Sequence, residues 1–173
     1  MGRARPLKRV RQCTALLWAR AGLSCLVAAS AAAAVFLTFG NRSGTALLQP
    51  DDPRLVGRGE AVYRQHCASC HGRDLQGQPD WQSPDREGYL PAPPHDETGH
   101  SWHHPDRLLF DVTKLGVSRA ANLKKHKSRM PAFEGILDDD DIIAALSYIK
   151  SRLPSDVRRR HDELNRSHQQ VAR

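Results

Sequence analysis

The 173-residue sequence predicts an all-α protein: a small helical domain over residues 52–153, preceded by an N-terminal transmembrane helix over residues 21–39. Three observations predict it. Between residues 52 and 153, apolar side chains recur at intervals of three and four, bounded by residues that start and stop helices. Ala21–Phe39 is an uncharged apolar stretch of 19 residues, close to the roughly 20 needed to cross a bilayer core. Where the first periodic segment ends, the run Cys67-Ala68-Ser69-Cys70-His71 has the attachment signature of a c-type haem, around which a small helical domain can fold.

The elements follow in chain order. Residues 1–20 are basic and carry no acid, with Arg3, Arg5, Lys8, Arg9, Arg11 and Arg20 ahead of the apolar span. Removing these six leaves 20 basic residues against 19 acidic ones, so the rest of the chain is nearly neutral although the whole carries +7. The basicity is therefore a membrane-topology signal and not a nucleic-acid surface. Residues 21–39 exceed the roughly 7–15 apolar residues of a signal peptide, and Gly44-Thr45-Ala46 is a poor cleavage site, so the span reads as a retained anchor; cleavage, leaving a soluble periplasmic protein, is the alternative. Positive-inside topology puts the arginines in the cytoplasm and the following domain in the periplasm of a bacterial inner membrane. Cys13 and Cys25 read as unpaired: 12 residues apart on a helix, they stand about 18 Å from each other. Residues 40–51 read as a polar tether.

The first helix of the domain opens with Asp52 as N-cap and Pro53 at the first helical position. Val56, Gly59, Tyr63 and Cys67 share one of its faces. Gly72–Gly99, rich in Gly, Pro and Asp, reads as an irregular loop. Pro105–Leu115 reads as a second helix, with Leu108, Leu109, Val112 and Leu115 as its apolar stripe and Gly116 ending it. Asn122–Arg129 is a basic loop. Asp138 caps the last helix of the domain, Asp139, Asp140 and Asp141 fill its first turn, and Pro154 stops it. Its buried face is Ile142, Ala145, Leu146, Ile149 and Leu153. Residues 154–173 have little apolar content and read as a polar tail, frayed or disordered.

The cofactor chemistry explains the spacing of the cysteine motif. Two thiols, from Cys67 and Cys70, add across two vinyl groups of one porphyrin, and His71 then binds the iron as proximal ligand. A lone C-x-x-C also suits a redox dithiol or half a zinc site, but no second C-x-x-C completes a zinc ribbon. Besides the initiator the chain has one methionine, Met130, followed by Pro131 and lying 59 residues after His71. Thioether ligation raises the reduction potential and closes the iron to small molecules. A lone Met is otherwise core filler, yet the polar flank Lys124, Lys125, Lys127 and Arg129 favours a loop that delivers a ligand.

Gly59 and Tyr63 ahead of Cys67-Ala68-Ser69-Cys70-His71-Gly72, then Met130-Pro131-Ala132-Phe133, then an acid-capped terminal helix, resemble a class I monohaem cytochrome c over roughly residues 52–153. The resemblance implies a small all-α globule around one covalent haem c, held by Cys67, Cys70, His71 and Met130. It also implies that the first and last helices cross at Gly59, with Tyr63 and Tyr148 beside the crossing. Pro91–His104 departs from the simplest pattern of the family and resembles a bacterial subgroup.

Two functional classes follow. One is a membrane-tethered one-electron carrier between redox partner proteins and not an enzyme, although it can be a subunit of an oxidoreductase complex. The other is a catalytic or sensing haem protein, which needs an open or bis-His iron; Met130-Pro131 argues against it. His100, His103 and His104 form a cluster that can hold a second metal, cap the helix at Pro105, line the haem rim or replace Met130 as distal ligand. His66, His95, His126, His161 and His168 read as surface residues in polar surroundings. The basic run Lys124–Arg129 reads either as a docking patch for acidic partners or as a solvated face.

Overall fold

The computed structural model describes residues 46–124 and 126–171. The anchor over residues 21–39, Cys13, Cys25 and the first part of the tether lie outside them. Ala46–Arg173 forms one compact unit. Its elements are α1 (Pro53–His66), α2 (Ala68–His71), a 3-10 turn (Ser101–His103), α3 (Asp106–Leu115), α4 (Val117–Ala120), α5 (Asp139–Arg152) and α6 (Ser155–Val171). Among the described residues there is no strand, and no helix is long and apolar enough to cross a membrane.

The centre of the fold is the crossing of α1 with α5. The Asp52 carboxylate accepts from the Arg54 and Leu55 amides at 2.9 and 3.3 Å, starting α1 as its cap chemistry requires. The Asp138 carboxylate accepts from the Asp141 amide at 2.7 Å and starts α5. Arg58 of α1 bridges to Asp141 at 2.7 Å and to Asp138 at 3.2 Å, joining the two helices on their exposed side. Inside, Gly59 lies against the Ala144 backbone, so close that a Cβ at Gly59 would stand 2.0 Å from the Ala144 carbonyl oxygen. Tyr63 and Tyr148 pack beside this contact with ring centres 5.5 Å apart. Ile142, Leu146 and Ile149 complete the core with Phe110 of α3.

Three expectations are corrected. The end of the tether is not a free linker: Leu48 is buried in the core, and the Gln49 amide donates to Ser147 Oγ at 3.0 Å. The paired leucines Leu47 and Leu48 supply the apolar surface that draws this segment in. Helix α3 forms as expected but buries Asp106, Phe110 and Thr113, leaving its Leu108, Val112 and Leu115 face half-covered. The polar tail is the long helix α6, which buries Val157 and His161.

Polar chemistry explains why α6 packs despite so little apolar content. Asp106 and Asn165 bond reciprocally: the Asp106 amide donates to Asn165 Oδ1 at 2.8 Å, and Asn165 Nδ2 donates to Asp106 Oδ1 at 2.9 Å. Lys150, only 2 % exposed, reaches Asp162 at 2.7 Å and Asp106 at 3.6 Å. His161, 1 % exposed, donates from Nε2 to the His104 carbonyl at 2.8 Å. Burial, and then the Lys150 charge, push the His161 imidazole below its ordinary range, so it is held neutral. Replacing Asp106 by Ala removes the acceptor of Asn165 Nδ2 and the nearby carboxylate of Lys150, while Lys150 keeps Asp162. We expect a loss of about 2 kcal/mol in denaturant unfolding. Arg58→Ala at the exposed bridge should cost less, because water screens that pair. Equal losses from the two variants would mean that the α6 network contributes no more than a surface pair.

Candidate functional site

The cysteine motif occupies the single turn that follows α1. Cys67 ends α1, its amide donating to the Tyr63 carbonyl at 2.9 Å, and its own carbonyl accepts from Cys70 and His71 at 3.1 and 3.0 Å. This turn brings both cysteines and His71 into one short stretch, with Cys67 half-buried, Cys70 exposed and both thiols unpaired. Burial, and then the neighbouring Cys70, push the Cys67 thiol up to about 11. A redox dithiol of the thioredoxin kind needs a depressed thiol pKa, so this environment speaks against that use.

His71 is buried and held at three points. Its Nδ1–H donates to the Pro93 carbonyl at 2.8 Å. Its own carbonyl accepts from the Gly77 amide at 2.8 Å. The next residue, Gly72, turns the chain at φ 81° and accepts the Tyr63 hydroxyl at 2.8 Å. With Nδ1 committed to a carbonyl, the neutral ring keeps its Nε2 lone pair for a metal. Burial lowers the His71 imidazole from its ordinary range, and the Pro93 bond partly opposes that shift.

The Pro93 carbonyl arrives on the extended run Pro91-Ala92-Pro93-Pro94. Gly77 and Gly99 allow that run to pack tightly: a Cβ at Gly77 would meet Pro94 N at 2.4 Å, and one at Gly99 would meet the Pro94 carbonyl oxygen at 2.0 Å. The same run delivers His95, which is not a surface residue. The structure stacks His95 on His71, ring centres 4.1 Å apart and planes 23° apart. The clue was available, since two prolines before a histidine impose an extended path, but its destination was not.

Met130 is half-buried in the loop between α4 and α5. Two backbone bonds hold that loop to the end of α3: Phe133 N to the Thr113 carbonyl at 3.1 Å and Glu134 N to the Lys114 carbonyl at 2.9 Å. The Phe133 ring meets the edge of His66 at 6.2 Å, so the Met130 loop touches the residue just before Cys67. His66 is accordingly half-buried and not a free surface residue. The basic run is partly spent within the chain. Arg129 pairs with Asp85 and, at 2.8 Å, with Glu87, and its guanidinium stacks 4.2 Å over Tyr89. Lys127 donates to the Glu87 carbonyl at 2.7 Å. Hydrogen bonds from the Tyr89 amide, and then from the Arg129 guanidinium, hold the Asp85 carboxyl below its ordinary range.

The three clustered histidines divide. His100 stacks on Trp81 at 5.3 Å and meets His104 edge-on at 5.4 Å, while His103 stacks on Trp102 at 3.7 Å. Among the described residues no group of three or more His, Cys, Asp or Glu is arranged to hold a metal ion.

The residues fit a covalent haem. The two unpaired thiols stand at the attachment spacing, and the buried histidine keeps one ring nitrogen free. A helical globule with such a turn defines a haem-binding electron-transfer protein. The family model of cytochrome c matches residues 56–152, more than half of the chain, and the protein belongs to the cytochrome c family, whose cofactor is covalently bound haem c. No curated protein and no solved structure matches the chain.

Proposed function

We propose that the protein is a class I monohaem cytochrome c of the bacterial, membrane-anchored kind, with Cys67 and Cys70 attaching one haem and His71 and Met130 as the axial ligands. It passes single electrons between redox partner proteins and is a carrier, not an enzyme. The apolar span 21–39 tethers it to the inner membrane with the haem domain in the periplasm. The observation that carries the reading is the His71 ring, whose Nδ1 is tied to the Pro93 carbonyl at 2.8 Å so that Nε2 alone serves a metal.

Haem c supplies a one-electron iron couple. Everything else is the work of this chain. The Nδ1–H bond to Pro93 gives the imidazole added basicity and stops it rotating. Tyr63 and Gly77 fix the backbone on either side, so little of the ligand sphere rearranges when the charge changes. Met130 offers a thioether, which favours the ferrous form and raises the potential. Arg129, the residue preceding Met130, is clamped on Asp85, Glu87 and Tyr89, which ties down the chain next to the thioether. With Lys127 and Arg129 turned onto that loop, Lys124 is left exposed to meet a partner's acidic groups.

Acid–acetone extraction of the purified protein tests the attachment. The pigment should stay with the polypeptide, and the Cys67→Ala, Cys70→Ala double variant should release it. Colour in the organic phase from the unaltered protein would refute covalent attachment.

A further inference from the structure

We infer that His95 is a positioning residue for His71: it forms a flat wall against the ligand ring and sets the angle at which that ring presents Nε2. The inference rests on His71 being the axial ligand. The stack is close and nearly parallel, with ring centres 4.1 Å and planes 23° apart, so His71 cannot turn about its side-chain bonds without striking His95. His95 is itself immobilised. Its Nδ1 shares a hydrogen bond of 2.7 Å with Ser101 Oγ, and its amide donates to the Leu75 carbonyl at 2.7 Å. Tyr63 meets His95 edge-on, with ring centres 6.4 Å apart.

The wall has an anchor outside the part of the chain that matches the family. Ser101 opens the 3-10 turn that packs against α6, and His161 of α6 takes the carbonyl of His104, just after that turn. Helix α6 lies beyond residue 152, where the family match ends. The Pro93 bond fixes one atom of the His71 ring; a single hydrogen bond leaves the ring free to swing about it. The His95 stack removes that freedom and excludes water from the ring face. Water beside the ligand would favour the more highly charged ferric state.

The test is low-temperature electron paramagnetic resonance of the oxidised holoprotein together with a redox titration. His95→Ala should replace one narrow low-spin signal by a broadened or split one and lower the midpoint potential. His95→Phe, which keeps a flat ring, should restore the single signal. Ser101→Ala should move both readouts in the same direction by less, and it decides the matter if His95→Ala yields no holoprotein. Unaltered signal and potential in His95→Ala, or in Ser101→Ala where that variant decides, would overturn the inference, as would a His95→Phe protein as disturbed as His95→Ala. A His71→Ala protein that keeps the native low-spin signal would overturn the axial assignment instead.

Discussion

With Met130 as the proposed axial ligand, Met130→Ala should turn a closed haem iron into one that binds carbon monoxide and cyanide, and should lower the midpoint potential by on the order of 0.1 V, a modest part of the ~0.8 V that axial ligation spans. The thioether is the only such group in the chain besides the initiator methionine. Its loss removes the soft ligand that favours ferrous iron. The fold should survive the change. Met130 is half-buried, and its loop is held by other contacts: Phe133 and Glu134 on the end of α3, Phe133 against His66, and Arg129 on the Asp85–Tyr89 loop. Thermal unfolding should therefore shift less than the 2–5 kcal/mol typical of a fully buried Met→Ala change, so that loss of ligation is separable from loss of structure. Difference spectra with carbon monoxide read the effect directly. A Met130→Ala protein that stays low-spin and resists carbon monoxide, while His100→Ala, His103→Ala or His104→Ala loses the low-spin signal, would show a bis-histidine iron.

Gly59→Ala and Gly57→Ala should have opposite signs although they are the same substitution two residues apart in one helix. Alanine is the better helix former by about 1 kcal/mol. At Gly57 nothing lies within 4 Å of the added carbon, so that gain should appear, about 0.5–1 kcal/mol in denaturant unfolding. At Gly59 the added carbon would lie 2.0 Å from the Ala144 carbonyl oxygen, 2.5 Å from its carbon and 2.9 Å from Tyr148 Cβ. Two of these are backbone atoms in the middle of α5, and they cannot step aside as a side-chain tip would. The helices must part by about an ångström, at a cost above about 3 kcal/mol, beyond the usual range for overpacking. Separation would also loosen Tyr63, whose hydroxyl holds Gly72, so haem attachment should fall as well. A Gly59→Ala protein as stable as Gly57→Ala would mean that the crossing tolerates a methyl group.

The features legible before folding are local or carried by a short motif. Asp52 and Asp138 announce the two main helices because a cap is written within three or four residues. Pro154 marks the end of α5 for the same reason. Cys67-Ala68-Ser69-Cys70-His71 announces the cofactor because both thiols and the imidazole come from one turn. Gly59 as the crossing point was legible through the family resemblance, since a glycine in a helix interior is costly unless another backbone takes the space. The rest emerges on folding, and in each case the missing information was a partner far along the chain. Leu48 looks like part of a linker until α5 supplies Ser147 and the core. Lys150 is a charge in the last turn of α5, and it is buried because Asp162 and Asp106 arrive from two other helices. Asn165 and His161 make α6 a packed helix with hardly any apolar face, since reciprocal hydrogen bonds take the place of hydrophobic burial. His95 looks like one more loop histidine, and becomes the wall behind His71 only once the proline run has carried it across the fold. A polar side chain is read as exposed by default because water is its ordinary partner. Which ones exchange water for one another depends on contacts between distant segments, and those exist only in the folded chain.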